Sequence, residues 1–286
     1  MKLLKLKTMK MNTIKTIQGI VRTSILCLSF VACSDDDSQS IIDIDMPDMA
    51  PNISLTALTN DNQLAFYNAQ NLNTPSSTVT ITGLQSGEMI ISIDYRPATG
   101  QLYGLGSLGR LYFIHEVSGL ATALSDQPLN PAVSGANASI DFNPTVDRIR
   151  LVTDSGQNLR LHPDLGTVVA TDGNLNPGMP KVSAAAYTNN FAGTASTLLY
   201  VIDHETNMLY TQTPPNDGVL VPVGPLGVDV SAENGFDIGG MSNSAFAVLR
   251  VGNAIGVYRI NLMTGSASKV SDLTFSPTAI AVGLGF

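Results

Sequence analysis

The sequence predicts an all-β fold, a single β-propeller most simply built from five blades of four antiparallel strands. Three observations lead to this prediction: a repeated unit of about one blade, a partial unit at each end of the repeat array, and a composition typical of short strands joined by tight turns. The sequence further suggests a leader at residues 1–32, a tether at 33–50 and the propeller domain at 51–286.

The repeated unit is clearest in two segments, Ser92–Gly119 and Ser139–Gly166, which begin 47 residues apart. Both open with Ser-Ile-Asp and an aromatic residue, reach a proline two residues later, and continue as strand, tight turn, strand and turn. Two further copies are Ala184–Gly218 and Gly235–Gly265. A fixed period of this size indicates a repeat array or a propeller.

The partial units predict how the propeller closes. Leu55–Asn71 matches only the second and third strands of the unit, and the missing first strand is predicted at Thr278–Gly283. When the last strand of a chain completes its first blade, no sheet edge is left exposed. We therefore predict five blades, with Ile280–Val282 paired to Leu55–Leu58.

The composition agrees with this fold. Hydrophobic residues make up 44% of the chain and charged residues only 13%, with 25 Gly and 15 Pro for the turns. The sequence contains no Trp, which argues against blades of the WD type. A domain of this length lies in the usual range for one all-β barrel or propeller.

Residues 1–32 are predicted to be an export signal. A basic stretch without acidic residues precedes the apolar run Ile25–Ala32, which is too short to span a bilayer. Phe30-Val31-Ala32-Cys33 resembles a bacterial lipobox, in which the cysteine is lipidated, although Phe30 departs from the usual Leu. Ordinary signal cleavage beside an incidental cysteine is the alternative.

The segment after Cys33 predicts a location. Ser34–Asp37 resembles the acidic tract that routes some Gram-negative lipoproteins to the outer face of the outer membrane, whereas a merely solvated tether is the alternative. Residues 34–50 carry six Asp and no Lys or Arg, which predicts a disordered spacer. We expect an exported monomer that is anchored to the outer membrane through Cys33. If the acidic tract is a sorting signal, the protein is also displayed on the cell surface.

The charge balance excludes some partners. The whole chain has a net charge of −8, but its leader holds six of the 15 basic residues. Without the leader, 15 − 6 = 9 basic residues oppose 23 acidic ones, a net charge of −14. So acidic a protein should repel nucleic acid and anionic lipid. Cys27 lies in the leader, so Cys33 would be the sole cysteine of the mature chain.

The three histidines do not form a predicted metal site. His115 and His162 occupy equivalent positions at the end of a third strand, while His204 lies in a different turn. Three zinc ligands must lie within about 2.1 Å of the metal, and separate blades do not bring them together. We interpret them as turn residues. The sequence also contains no Gly-x-Ser-x-Gly elbow and no phosphate-binding loop.

The first strand of each blade carries the candidate site. Asp94, Asp141 and Asp237 share one position in three blades, with Ala186 and Ala281 at that position in the others. Strand interiors disfavour Asp, and first strands line the central channel of a propeller. A bound cation such as Ca²⁺, or a polyol, would explain the three acids. The local alternative is that each Asp caps the following turn or pairs with a nearby Arg, Arg96 or Arg148.

Two irregular loops break the repeat and are the predicted binding loops. Thr188–Thr197 inserts small polar residues after a first strand and includes Asn189 and Asn190, while Thr171–Pro180 joins two blades. Binding residues on propellers tend to lie in such loops. With Tyr95, Tyr187 and Phe191 nearby in sequence, an aromatic and amide-lined sugar site is one interpretation, and an ordinary solvated loop is the other.

Several long motifs resemble a family of secreted bacterial proteins that carries a domain of unknown function. They are IDYRPATGQLYGLG, IDFNPTVDRIRLVTDSGQNLRLHPDLG, AAAYTNNFAG and PPNDGVLVPVGPLGVD. The resemblance covers about residues 55–285 and implies propeller-like repeats. It implies no activity and no catalytic residues.

Two functions of different classes follow from these observations. The first is a non-catalytic surface lipoprotein that binds a glycan or another extracellular ligand such as a protein, or that serves as a structural module. The second is a metal-assisted hydrolase, lactonase or lyase that uses Asp94, Asp141 and Asp237, with Asn189 or Asn190 as further ligands. The lack of converging histidines and of a nucleophile motif favours the first.

Overall fold

The structure is a computed structural model of the chain and describes residues 52–273 and 276–285. The predicted leader, Cys33 and the tether lie outside these residues. In this part of the chain no helix is long and apolar enough to cross a membrane. The elements are β1 (Ser54–Thr59), β2 (Gln63–Asn68), β3 (Ser77–Thr80), β4 (Ile90–Tyr95), β5 (Leu102–Gly106), β6 (Leu111–Ile114), β7 (Ala121–Ala123), β8 (Ala138–Asn143), β9 (Arg148–Thr153), β10 (Asn158–His162), β11 (Thr167–Thr171), β12 (Val182–Tyr187), β13 (Leu199–Asp203), β14 (Met208–Gln212), the 3₁₀ turn η1 (Pro215–Asp217), β15 (Leu220–Pro225), β16 (Val230–Ile238), β17 (Ala245–Val251), β18 (Ala254–Ile260), β19 (Ala267–Asp272) and β20 (Pro277–Val282).

The strands of the described residues form five antiparallel sheets of four strands. Blade 1 is β4–β7, blade 2 is β8–β11, blade 3 is β12–β15 and blade 4 is β16–β19. Blade 5 has the order β20-β1-β2-β3, so that it combines strands from both ends of the domain. The inner strands β4, β8, β12, β16 and β20 contact one another around the centre. The predicted five-bladed propeller is confirmed.

The closure of blade 5 follows the predicted register. Antiparallel pairing of β20 with β1 places Leu55 opposite Val282 and Ala57 opposite Ile280. A side chain at Gly235 in β16 would meet the Cα of Ala279 in β20 at 2.7 Å, because the two inner strands approach closely there. The absence of a side chain therefore lets blades 4 and 5 meet.

Burial explains the strand sequences. Inner and second strands are covered on both faces by neighbouring blades, so β5, with the sequence LYGLG, is wholly buried. The outer strand β11 instead alternates between exposed and half-buried positions. Five apolar clusters lie one at each interface between adjacent blades. Each blade is therefore stabilised by its two neighbours rather than by a core of its own.

The predicted turns are also present. Each hairpin between a second and a third strand contains a residue with positive φ, which relieves the tight reversal: Asn62, Gly109, Gly156, Asn207 and Gly252. In four blades a side chain at the end of the third strand, or directly after it, accepts a backbone N–H in the next turn, as with Nδ1 of His115 from Ser118 and Nδ1 of His162 from Asp164. The interpretation of these two histidines as turn residues is confirmed.

Candidate functional site

The shared position on the inner strands brings three acids together. Asp94 lies on β4, Asp141 on β8 and Asp237 on β16, and all three are buried. One oxygen of each carboxyl lies within 4.8 Å of one oxygen of each of the others. The structure therefore places them at one level of the channel. Whether they hold a ligand stays a prediction.

Asp94 joins blade 1 to blade 2. The N–H of Tyr95 donates to its Oδ1 at 2.7 Å, and the N–H of Phe142 on β8 donates to its Oδ2 at 2.6 Å. Arg96 does not pair with this acid, because its guanidinium binds Asp147 and Asp164. The expected pairing of an inner Asp with Arg96 is wrong, and so is capping of the following turn: Asp94 bonds its own strand and the next blade.

The other two acids repeat this arrangement. Asp141 accepts the N–H of Tyr187 on β12 at 2.8 Å, which joins blades 2 and 3. Asp237 accepts the N–H of Ile238 through Oδ1 at 2.6 Å and the N–H of Val282 on β20 through Oδ2, which joins blades 4 and 5. Blades 3 and 5 carry Ala at the shared position, which cannot accept an N–H from the next blade. In those next blades, 4 and 1, the N–H groups of Ile238 and Tyr95 therefore bond the Asp of their own strand.

We call these three side chains the carboxyl ring. The residue after the shared position has its N–H bonded to a carboxyl oxygen in every blade: Tyr95, Phe142, Tyr187, Ile238 and Val282. Five N–H groups therefore occupy five of the six oxygens. Oδ2 of Asp141 is the one left without an N–H donor among the described residues. The carboxyl of Asp237 neighbours that of Asp141 and raises the pKa of Asp141, which favours a proton shared within this pair.

Burial sets the protonation of the ring. It raises the pKa of Asp94 and of Asp141 well above the usual range, and the neighbouring acids raise both further. Burial also raises the pKa of Asp237 to about 7, although the N–H groups of Val282 and Ile238 oppose the rise. Because only Asp141 has an oxygen free of N–H donors, we place the shared proton there.

The two predicted amide ligands differ from each other. Asn189 is held in the loop by a reciprocal pair: its N–H donates to Oδ1 of Asn243 at 2.7 Å, and Nδ2 of Asn243 donates to its Oδ1 at 2.8 Å. Asn190 is fully buried, and its backbone carbonyl oxygen would lie 2.6 Å from a Cβ atom added at Gly240, just after β16. Its side-chain amide has no hydrogen-bond partner among the described residues.

The channel itself is narrow. Above the carboxyl ring, the space between the inner strands is a cavity of about 10 Å³, roughly the room of one water molecule. A wider cavity of about 250 Å³ opens at the end where the inner strands begin, with Asn60, Met89 and Ser183 in its lining. A polyol therefore has room at the mouth of the channel but not between this mouth and the ring.

A second cavity lies where the sequence suggested a binding loop. It measures about 310 Å³ and is bounded by the insertion loop on one side and by the ends of β12 and β14 on the other. Its polar lining comes from Asn143, Thr145, Tyr187, Ser196, Thr197 and Gln212. We call this cavity the groove. Tyr187 is the one predicted aromatic in its lining; Tyr95 instead bonds Thr56 and Glu116.

Gln212 is the residue of the groove that the sequence analysis missed. It is 1% exposed, and its Nε2 donates to the carbonyl oxygen of Pro215 at 2.7 Å. Its Oε1 has no partner within the described residues. Nothing in the repeat distinguishes this glutamine, which ends β14; only the insertion that faces it breaks the pattern.

Comparison with solved structures finds similar chains at low sequence identity. A chain of a nidogen/laminin complex is 13% identical with a TM-score of 0.50, covering 81% of this chain and 98% of that one. Dihydro-heme d1 dehydrogenase NirN in complex with DHE is 11% identical with a TM-score of 0.38, covering 78% of this chain. This chain spans only 44% of that dehydrogenase. Likeness at this identity shows the fold alone.

Comparison with families is more informative than comparison with individual proteins. No curated protein matches the chain. The family model described as "Domain of unknown function (DUF4394)" matches residues 63–283, which includes parts of all five blades, the carboxyl ring and the groove. The match agrees with the resemblance noted in the sequence motifs. The chain belongs to the DUF4394 family.

Proposed function

We propose that this protein is a non-catalytic binding module whose ligand is a saccharide held in the groove. The observation that carries the proposal is Oε1 of Gln212, a buried acceptor without a described partner in the wall of a cavity. An unpaired buried acceptor costs roughly 1–3 kcal/mol. Oε1 is shielded from solvent in this arrangement, so a ligand hydroxyl reaches it only after the side-chain amide turns towards the groove, and donation to it then removes this cost on binding.

The remaining lining supports a hydroxyl-rich ligand. Thr145, Ser196 and Thr197 offer hydroxyl groups, and the buried side chain of Tyr187 forms part of the wall. Ligand sites in proteins are commonly concave, with a few polar groups that fix orientation. The groove volume of about 310 Å³ suits one or two sugar rings better than a folded partner.

The expected result for a groove variant is a selective loss of binding. Gln212→Met keeps the side-chain volume but removes the acceptor, so affinity should fall about three- to tenfold, the size of one neutral hydrogen bond. Binding partners would come from a glycan array, with calorimetric titration of the strongest oligosaccharide. Asn60→Ala, at the mouth of the channel, is the control and should bind normally. Equal losses in both variants, or a loss only in Asn60→Ala, would place the ligand elsewhere.

The location of the protein is part of the proposal. We propose export and anchoring to the outer membrane through a lipid on Cys33, supported by the lipobox-like sequence and the basic leader. Labelled palmitate should enter the wild type and not Cys33→Ser. Incorporation that persists in that variant contradicts lipidation at this residue. Surface display is tested separately, by protease accessibility on intact cells after Asp35, Asp36 and Asp37 are replaced by Ala.

A metal-assisted hydrolase, lactonase or lyase is the second candidate function. It is favoured by one observation, the three carboxyls of the ring with oxygens within 4.8 Å of one another. Ca²⁺ prefers several oxygen ligands at about 2.3–2.6 Å. A melting temperature that rises with calcium in the wild type, and does not rise in Asp141→Asn, would favour this candidate. No shift in either protein would leave the ring with its role in joining blades.

A further inference from the structure

A concentration of arginine lies beside the groove. A cavity of about 160 Å³ shares Asn143, Tyr187 and Pro215 with the groove, so the two cavities lie side by side between blades 2 and 3. Its remaining lining includes Arg148, Arg150 and Arg160 and no acidic residue. These are three of the nine Lys and Arg residues after the leader, in a protein with net negative charge.

The strand register forces these charges together. Arg150 on β9 and Arg160 on β10 are direct cross-strand partners, and like charges in that relation repel each other. A single carboxylate lies between them: Oδ2 of Asp172 accepts from Nη1 of Arg150 at 2.6 Å and from Nε of Arg160 at 2.8 Å. Two guanidinium groups thus share one negative charge.

Arg148 adds a third positive charge without a carboxylate partner among the described residues. Its one hydrogen bond runs from Nη1 to the carbonyl oxygen of Asp147 at 2.8 Å. The carboxylates of Asp147 and Asp164, which lie nearby in the fold, are both bound to Arg96. Donors of Arg148 and Nη1 of Arg160 are therefore free to bind an anion.

Arg150 is built into the wall rather than exposed to solvent. Its side chain is 2% exposed and bonds Oδ1 of Asn158 at 2.8 Å and Oδ1 of Asn216 at 2.7 Å. Nε of Arg150 donates to the hydroxyl of Tyr187 at 3.4 Å, so the two side chains are joined within the wall. Tyr187 lines both cavities, so it would contact a molecule that extends from one into the other.

We infer that the saccharide is acidic, with its carboxylate or sulfate group at Arg148 and Arg160 and its neutral hydroxyls in the groove. This inference rests on the proposed function, and it specifies the class of ligand. Arginine suits this task because its planar donors match the oxygens of an oxyanion.

The test compares matched ligands on matched variants. Calorimetric titration would use trigalacturonic acid, its fully methyl-esterified form, neutral galactotriose and a sulfated galactotriose. We expect at least one of the two acidic ligands to bind about ten- to one-hundredfold more tightly than its neutral counterpart, a preference that weakens as salt is added. Arg148→Gln should remove most of that preference. Arg259→Gln, an exposed arginine on blade 4 with the same change in charge, should keep it.

The outcomes separate the two proposals. Equal affinity for acidic and neutral ligands overturns the inference and leaves saccharide binding in place. If no saccharide binds, the proposed function fails, and the arginine cavity is tested alone with inorganic sulfate and monomeric galacturonate. A rise in melting temperature with either anion that Arg148→Gln abolishes would support the cavity as an oxyanion site. No rise, or an equal rise in Arg148→Gln, rejects it.

Discussion

Deletion of residues 277–286 should abolish the cooperative unfolding of the domain. The deletion removes β20, which supplies the buried residues Ala279, Ile280, Ala281 and Val282 to two of the five interfaces. It also exposes the edge of β1 and leaves Oδ2 of Asp237 without the N–H of Val282. Burial of each Val or Ile is worth about 1.5–3 kcal/mol, against a total stability of about 5–15 kcal/mol. The combined loss therefore approaches the stability of the whole domain.

The measurement is scanning calorimetry of the mature domain with and without these residues. A synthetic peptide that spans residues 276–285 should restore a cooperative transition when added to the truncated protein, because it supplies the missing strand. The same peptide with Ile280→Asp is the control and should not. A truncated domain that melts like the full-length one would contradict closure through β20.

Asp94→Asn and Asp141→Asn should have opposite effects, although they make the same chemical change in the same ring. Both oxygens of Asp94 accept N–H groups, so an amide at this position leaves one buried donor unpaired at a cost of about 1–3 kcal/mol. For a domain of this size, that is a fall in melting temperature of about 2–12 °C. Asp141 uses one oxygen for Tyr187, and we place a proton on its other oxygen. An amide there supplies the same acceptor and the same donor, so stability near pH 5 should hardly change.

The pH dependence gives an independent check on this assignment. In the unfolded chain these carboxyls titrate near 3.8, whereas burial raises their pKa in the folded protein, for Asp237 to about 7. Between about pH 4 and pH 7 the folded state therefore binds more protons than the unfolded state. Stability must fall as the pH rises through this window, the reverse of the usual behaviour of salt-bridged acids.

Thermal unfolding at a series of pH values between 4 and 8 would measure this effect. The wild type should lose stability towards pH 8, and Asp141→Asn should show a flatter profile and exceed the wild type at pH 8. If Asp141→Asn lowers the melting temperature as much as Asp94→Asn does, the proton is not on Asp141. A wild-type profile that rises between pH 4 and 7 would contradict the raised pKa values of the ring.

The repeat made the fold predictable because it is a property of the sequence alone. Comparison of equivalent positions located Asp94, Asp141 and Asp237 at one position, and the split unit at Leu55–Asn71 located the closing strand. The partners of these acids could not be predicted, because three of the five N–H donors belong to a different blade. A sequence period gives the position of a side chain within a blade, but not the rotation between one blade and the next.

The groove illustrates the same limit. The insertion Thr188–Thr197 was recognisable as a break in the repeat, but Gln212 and Arg148 are ordinary strand residues in sequence. Gln212 lies opposite Leu199 within blade 3, whereas Arg148 comes near the loop only through packing of blade 2 against blade 3. Gln212 is of interest because its Oε1 has no partner among the described residues, and Arg148 because it has no carboxylate partner there. Both properties arise only in the packed structure.

The position of β20 also affects how the protein is made. Blade 5 needs β20 beside β1, and these strands are separated by more than two hundred residues of chain. A ribosome that has synthesised blades 1 to 4 has therefore produced a chain in which the edge of β1 is unpaired and blade 4 is not yet covered by β20. The domain cannot finish folding before Val282 has emerged.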